Sequence, residues 1–221
     1  DLVNPSFLYE YKINDNISAS VNGEYISSSG KYKYRYKRVF PNTNEVMYDT
    51  TAVRENGDIA SLRFEGGLFG TIPKGYWRIK GYFYDSERGI PGAVVNNKWK
   101  NSQRQWDTSY FVQGIFQKSI APKYDLLVNA KYANDGMRYL NPDTTLMLID
   151  NTFKQKESYI STANRYRISN KWDAVLSADA QYNTLTSDVA GFVYPKRLTS
   201  LFALASAADL GKVKMQGSIL A

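Results

Sequence analysis

Apolar and polar residues alternate with a period of two along much of the chain, and the alternation returns in blocks. In residues 17–25, Ile17, Ala19, Val21, Gly23 and Tyr25 fall on one side, and Ser18, Ser20, Asn22 and Glu24 on the other. Residues 60–68 set Ala60, Leu62, Phe64, Gly66 and Leu68 against Ser61, Arg63, Glu65 and Gly67. Residues 76–84 set Trp77, Ile79, Gly81 and Phe83 against Arg78, Lys80, Tyr82 and Tyr84, and residues 126–133 and 172–182 continue the rhythm. Successive side chains of a strand point to opposite faces, so these blocks predict β-strands with one apolar and one polar face. Weaker strands are expected over 7–13, 108–118, 159–167, 198–208 and 213–221, making ten in all. Of these, 159–167 shows no clean face, and 200–208 is rich enough in Ala for a short helix to compete.

The connections alternate in length. Short polar, Pro- or Gly-bearing turns are expected at 14–16, 71–75, 121–123, 169–171 and 209–211, and long ones at 28–57, 85–104, 134–151 and 184–197. Short and long connections sorted to opposite ends describe an up-and-down antiparallel sheet. That sorting, with Ala and Gly common on the apolar face, predicts an all-β transmembrane barrel with short turns on one side and long loops on the other. Tyr76, Trp77, Tyr124, Tyr166 and Trp172 lie beside the short turns, where an interfacial aromatic girdle would sit. Two alternatives stay open: a soluble or surface-attached β-sandwich that binds carbohydrate through its aromatics, and a small barrel acting as a passive channel.

Composition narrows the chemistry. The 221 residues include no His and no Cys, which removes imidazole and thiolate catalysis, disulfides and the usual zinc, haem and iron–sulfur ligands. No enzyme activity is expected. Eighteen Tyr, ten Phe and four Trp favour strands over helices, and 28 Lys+Arg against 21 Asp+Glu give a net charge of +7. No apolar run approaches the roughly 18 residues of a membrane helix, and Asp1–Pro5 lacks the features of a signal peptide. Residues 212–221 alternate up to the last residue, which reads as a strand cut short and predicts a longer functional protein.

Residues 84–97 (Tyr-Asp-Ser-Glu-Arg-Gly-Ile-Pro-Gly-Ala-Val-Val-Asn-Asn), with Arg104-Gln105-Trp106-Asp107, Phe111-Val112-Gln113-Gly114, Asn129–Ala133, Arg138–Asp143 and Ala163–Arg167, resemble the barrel of TonB-dependent outer-membrane receptors, most of all the cobalamin-receptor-like members. The resemblance implies a 22-stranded barrel of which this chain is one segment of about ten strands, residues 1–221, without the plug domain. It further implies active uptake of a large scarce nutrient such as cobalamin across the outer membrane of a Gram-negative bacterium. The implied partners are the plug and remaining barrel strands, TonB, outer-membrane lipid and a surface lipoprotein, with no nucleic acid among them.

Ligand-binding candidates come from the aromatic and basic residues of the long connections. Tyr32, Tyr34 and Tyr36 alternate with Lys31, Lys33, Arg35 and Lys37, a strip able to stack on planar ligands or to meet phosphates, and equally a solvated strand with Tyr on one face and charge on the other. Arg88 sits in a Gly/Pro-punctuated stretch, 86–92, expected to be a loop. Trp99, Trp106 and Tyr139 are placed to stack on a large ligand or to form an outer girdle. Asp49, Glu55, Asp143 and Asp150 are loop carboxylates, and some receptors of this kind order their loops with calcium. Their scattered spacing defines no metal site. The set Glu24, Arg63, Glu65, Arg78, Lys80, Lys131 and Asp179 is expected to share the polar face of the sheet.

Overall fold

The structure is a computed structural model that describes residues 1–92, 102–144 and 148–221. Thirteen strands follow one another: β1 (Leu2–Val3), β2 (Ser6–Asn14), β3 (Ile17–Ser28), β4 (Tyr32–Val39), β5 (Val46–Arg54), β6 (Ile59–Ile72), β7 (Gly75–Ile90), β8 (Gln103–Ala121), β9 (Tyr124–Asn141), β10 (Ile149–Ser169), β11 (Trp172–Ser187), β12 (Lys196–Asp209) and β13 (Lys214–Leu220). Eleven of them form one sheet in the order β1-β3-β6-β7-β8-β9-β10-β11-β12-β13, with β2 also pairing β3. β4 and β5 form a separate two-stranded ribbon. Every pairing is antiparallel.

The turns explain the direction changes. β6 and β7 meet at Pro73-Lys74, where Lys74 takes a left-handed φ of 60°. β12 reaches β13 through Gly211 at φ 88°, a conformation that costs glycine little. The weakly patterned segments are strands too. Residues 159–167 belong to β10, and the Ala-rich 200–208 lie inside β12, where pairing with β11 overrides helix propensity.

Three sequence expectations are corrected here. The main sheet is open: β13 and the β1/β2 edge do not pair with each other, so the closed 22-stranded transmembrane barrel is not the fold observed. Strand alternation dictates which face each residue takes and which neighbours pair, but these are identical in an open sheet and a closed barrel. Closure depends on the first and last strands meeting, which no local pattern encodes. The connection 28–57, expected as a loop, instead carries the β4–β5 ribbon, and 86–90 continue β7 rather than forming a loop.

The two faces differ in shelter as well as in polarity. Phe64, Ile79, Val112, Ile160, Leu176 and Phe202 share the apolar face and are between 42% and 56% exposed. On the polar face, Ser61, Ser86, Ala133 and Ser187 are 7% exposed or less. Ala133 is the only buried apolar side chain among the described residues. The polar side is thus the enclosed one, and the apolar side is presented outward.

Candidate functional site

Register lines up the polar-face residues in rows across the strands. One row runs Asn22, Glu65, Tyr82, Phe111, Ala133, Glu157 and Asn183, each directly opposite the next. The adjacent row runs Ser20, Gly67, Lys80, Gln113, Lys131, Tyr159 and Gln181. Neighbouring strands are about 4.8 Å apart, so groups on successive strands are in reach of one another.

Tyr82 and Phe111 stack at the centre of this face, with ring centroids 4.9 Å apart and planes 15° from parallel. The Lys131 ammonium stands 5.6 Å from the Phe111 ring centroid, within cation–π range. Lys131 also pairs with Glu157 at 3.0 Å, and Gln181 Nε2 donates to the other Glu157 oxygen at 2.9 Å. On the opposite flank Lys80 pairs with Glu65 at 2.7 Å, and Arg63 with Glu24 at 2.7 Å. Burial pushes the Tyr82 phenol above its ordinary range, opposed by Arg63 and reinforced by Tyr84, Glu65 and Asp135. Tyr82 therefore remains a protonated donor at neutral pH. The result is a half-buried aromatic platform bordered by fixed donors and acceptors.

The expected polar-face set is found together: Glu24, Arg63, Glu65, Arg78, Lys80, Lys131 and Asp179 occupy positions of one face by register. Tyr82 and Phe111 went unnoticed as site residues. Tyr82 was legible as a large ring at a polar-face position beside Lys80, but its stacking on Phe111 follows only from the β7–β8 register.

The candidates from the long connections are dispersed. Arg88 and Tyr139 lie on the polar face with Gln105 between them, and Arg88 is held by Asp107 at 2.9 Å. Trp106 faces the other way, with the Arg138 guanidinium 5.0 Å from its ring. Tyr32, Tyr34 and Tyr36 line one face of the ribbon, where Tyr36 meets Tyr48 edge-on at 5.9 Å. Trp99 lies outside the described residues. Of the loop carboxylates, Asp49 is gripped by Arg35 and Asp150 by Arg138, each through two hydrogen bonds, and each is held below the ordinary carboxylate range mainly by that bond. No group of three or more potential metal ligands is present among the described residues.

The ribbon is fixed at its base by a cluster that connects distant segments. The buried Arg54 guanidinium donates to the carbonyls of Pro91, at 2.8 Å, and Gly92. Asn56, at a left-handed φ of 59°, donates from Nδ2 to Ile90 O at 3.0 Å and Gln103 O at 2.8 Å, tying the end of β7 to the start of β8. Arg104 pairs with Asp58 at 2.7 Å and Glu87 at 2.8 Å. A side chain at Gly89 would stand 2.6 Å from the Asn56 carbonyl oxygen, so close packing here requires glycine.

No family model matches the chain, and no curated protein matches it. The resemblance to TonB-dependent receptors is therefore not supported, and neither is cobalamin uptake. The open main sheet likewise lacks the closed wall of a barrel transporter. The outer-membrane assignment rested on the closed barrel and on the family, and loses both supports.

Proposed function

We propose that the protein binds carbohydrate on the polar face of its main sheet and catalyses no reaction there. The observation that carries this reading is the Tyr82–Phe111 platform with its border of Lys80, Glu65, Lys131, Glu157 and Gln181. A sugar ring offers a flat array of C–H groups and a rim of hydroxyls. The first packs on an aromatic surface, and the second needs both donors and acceptors at fixed positions. Here ammonium and amide groups donate, carboxylates accept, and each is oriented by its neighbour, which lowers the ordering cost of binding. Glu24, Glu65 and Glu157 are each held by a cation of this face, an arrangement suited to gripping hydroxyls.

Titration calorimetry against a panel of neutral oligosaccharides tests the proposal. At least one binds the wild type, and Tyr82→Ala weakens that binding by roughly tenfold or more, the loss of one stacking contact and its area. Failure of every oligosaccharide to bind, or equal binding by the variant, contradicts it.

A further inference from the structure

Residues 31–55 carry six cations, Lys31, Lys33, Arg35, Lys37, Arg38 and Arg54, against three anions, Glu45, Asp49 and Glu55. This leaves the segment at +3 of the whole chain's +7. Arg54 is buried at the ribbon's base and Arg35 is spent on Asp49. Lys31, Lys33, Lys37 and Arg38 are exposed and form no ion pair with a carboxylate among the described residues. Asp49 faces Lys37 across the ribbon, yet both its oxygens are taken by Arg35.

Strand geometry decides what this strip can recognise. Alternation puts Lys33, Arg35 and Lys37 on one face of β4, spaced by about 6.8 Å, and Tyr32, Tyr34 and Tyr36 on the other. Proteins that hold single-stranded nucleic acid track its phosphates with cations while stacking its bases on aromatics in the same groove. The ribbon separates the two. What remains is two lysines, Lys33 and Lys37, without an ion pair among the described residues, on either side of the Arg35–Asp49 pair and without a stacking surface, complementary to a chain of spaced anions whose sugar faces need no aromatic at that point.

We infer that the lysine face of the β4–β5 ribbon binds the carboxylates of an acidic polysaccharide, so that the protein's preferred ligand is a polyuronate rather than a neutral glycan. The inference rests on the carbohydrate reading above and adds the charge of the substrate to it. The ribbon stands at the end of the sheet where Arg88 and Tyr139 lie, and its base is anchored by Arg54 and Asn56, so the strip is held rather than free to collapse.

The test compares three probes: a linear oligogalacturonate, the same oligomer fully methyl-esterified, and a single-stranded oligothymidylate of equal charge. Wild type and the double variant Lys33→Gln/Lys37→Gln are titrated at low and moderate salt, with circular dichroism confirming strand content in both. The wild type prefers the acid to the ester, and raising the salt erodes the preference because exposed charges are screened. The double variant loses roughly tenfold in affinity for the acid and nothing for the ester. Retention of the acid preference by the double variant overturns the inference. Tighter binding of the oligothymidylate than of the acid overturns it in favour of a nucleic-acid strip. Ester bound as well as acid leaves the carbohydrate reading standing and removes this one; failure of both oligomers to bind removes this inference, while the neutral panel decides the carbohydrate reading separately.

Discussion

Arg54 and Gly92 are separated by 38 positions in the chain, yet the guanidinium of the first donates to the carbonyl of the second. Through this bond and its companion to Pro91, the last residue of β5 grips the stretch that follows β7. One buried side chain thus ties the cationic ribbon to the end of β7, beside the Asn56 contacts at the same base.

Arg54→Ala should release the ribbon without melting the sheet. The two carbonyls lose their donor in a sheltered place, which costs about 1–3 kcal/mol. Hydrogen exchange is expected to quicken at the amides of β4 and β5, while those of β7 to β10 keep their protection. Uniform exchange across both sheets would contradict the anchoring role.

The Asp58–Arg104 pair makes a defined contribution to pH dependence. The hydrogen bond from Arg104 holds the Asp58 carboxyl below its ordinary value, with burial opposing the shift. A depressed folded-state value means that the contribution is complete above the unfolded carboxylate value, about pH 4, and is lost as pH falls through the folded one. The Asp58 side chain is 40% exposed, so screening limits the effect to less than about 1 kcal/mol. Urea midpoints of wild type and Asp58→Asn are expected to differ at pH 7 and to converge as the pH falls through the depressed folded-state value. A gap that persists in acid would show that the pair is not its source.

The outward apolar face has its own consequence. Val112 at 56%, Ile160 at 51% and Leu198 at 70% exposure belong to a contiguous surface far larger than scattered apolar residues produce. Sedimentation velocity in buffer without amphiphile is expected to show concentration-dependent self-association, reduced in the double variant Val112→Lys/Ile160→Lys. A wild-type chain that stays monomeric at all concentrations would contradict this.

Much of the sheet is legible in the sequence because strand alternation is local. The faces of 17–25, 60–68 and 76–84, and the turns at 14–16 and 121–123, follow from residue types within reach of one another. Closure is not local, and the same alternating segments serve a barrel or an open sheet equally well. Only half of the ribbon was legible: Lys31–Arg38 alternates charge with Tyr and reads as a strand, but its partner over Val46–Arg54 is separated by turn residues and has no clean face. Arg88 was expected on a loop because Gly89, Pro91 and Gly92 follow it closely. Gly89 serves the packing of Asn56 instead, and β7 runs through it. The Tyr82–Phe111 platform needs register to be seen, since the two residues belong to different strands and meet only because Gly75 pairs with Lys118 at the far end of the ladder.

The central claim is that ligand binds the polar face and not the apolar one, and two adjacent residues of β8 separate the faces. Phe111 points to the polar side and Val112 to the apolar side. The most direct measurement is the affinity of Phe111→Ala and of Val112→Lys for the oligosaccharide that the wild type binds best. Phe111→Ala should lose at least about tenfold, through both the ring and its contact with Lys131, while Val112→Lys keeps wild-type affinity. Loss of binding on Val112→Lys with retention on Phe111→Ala would place the ligand on the other face and contradict the account.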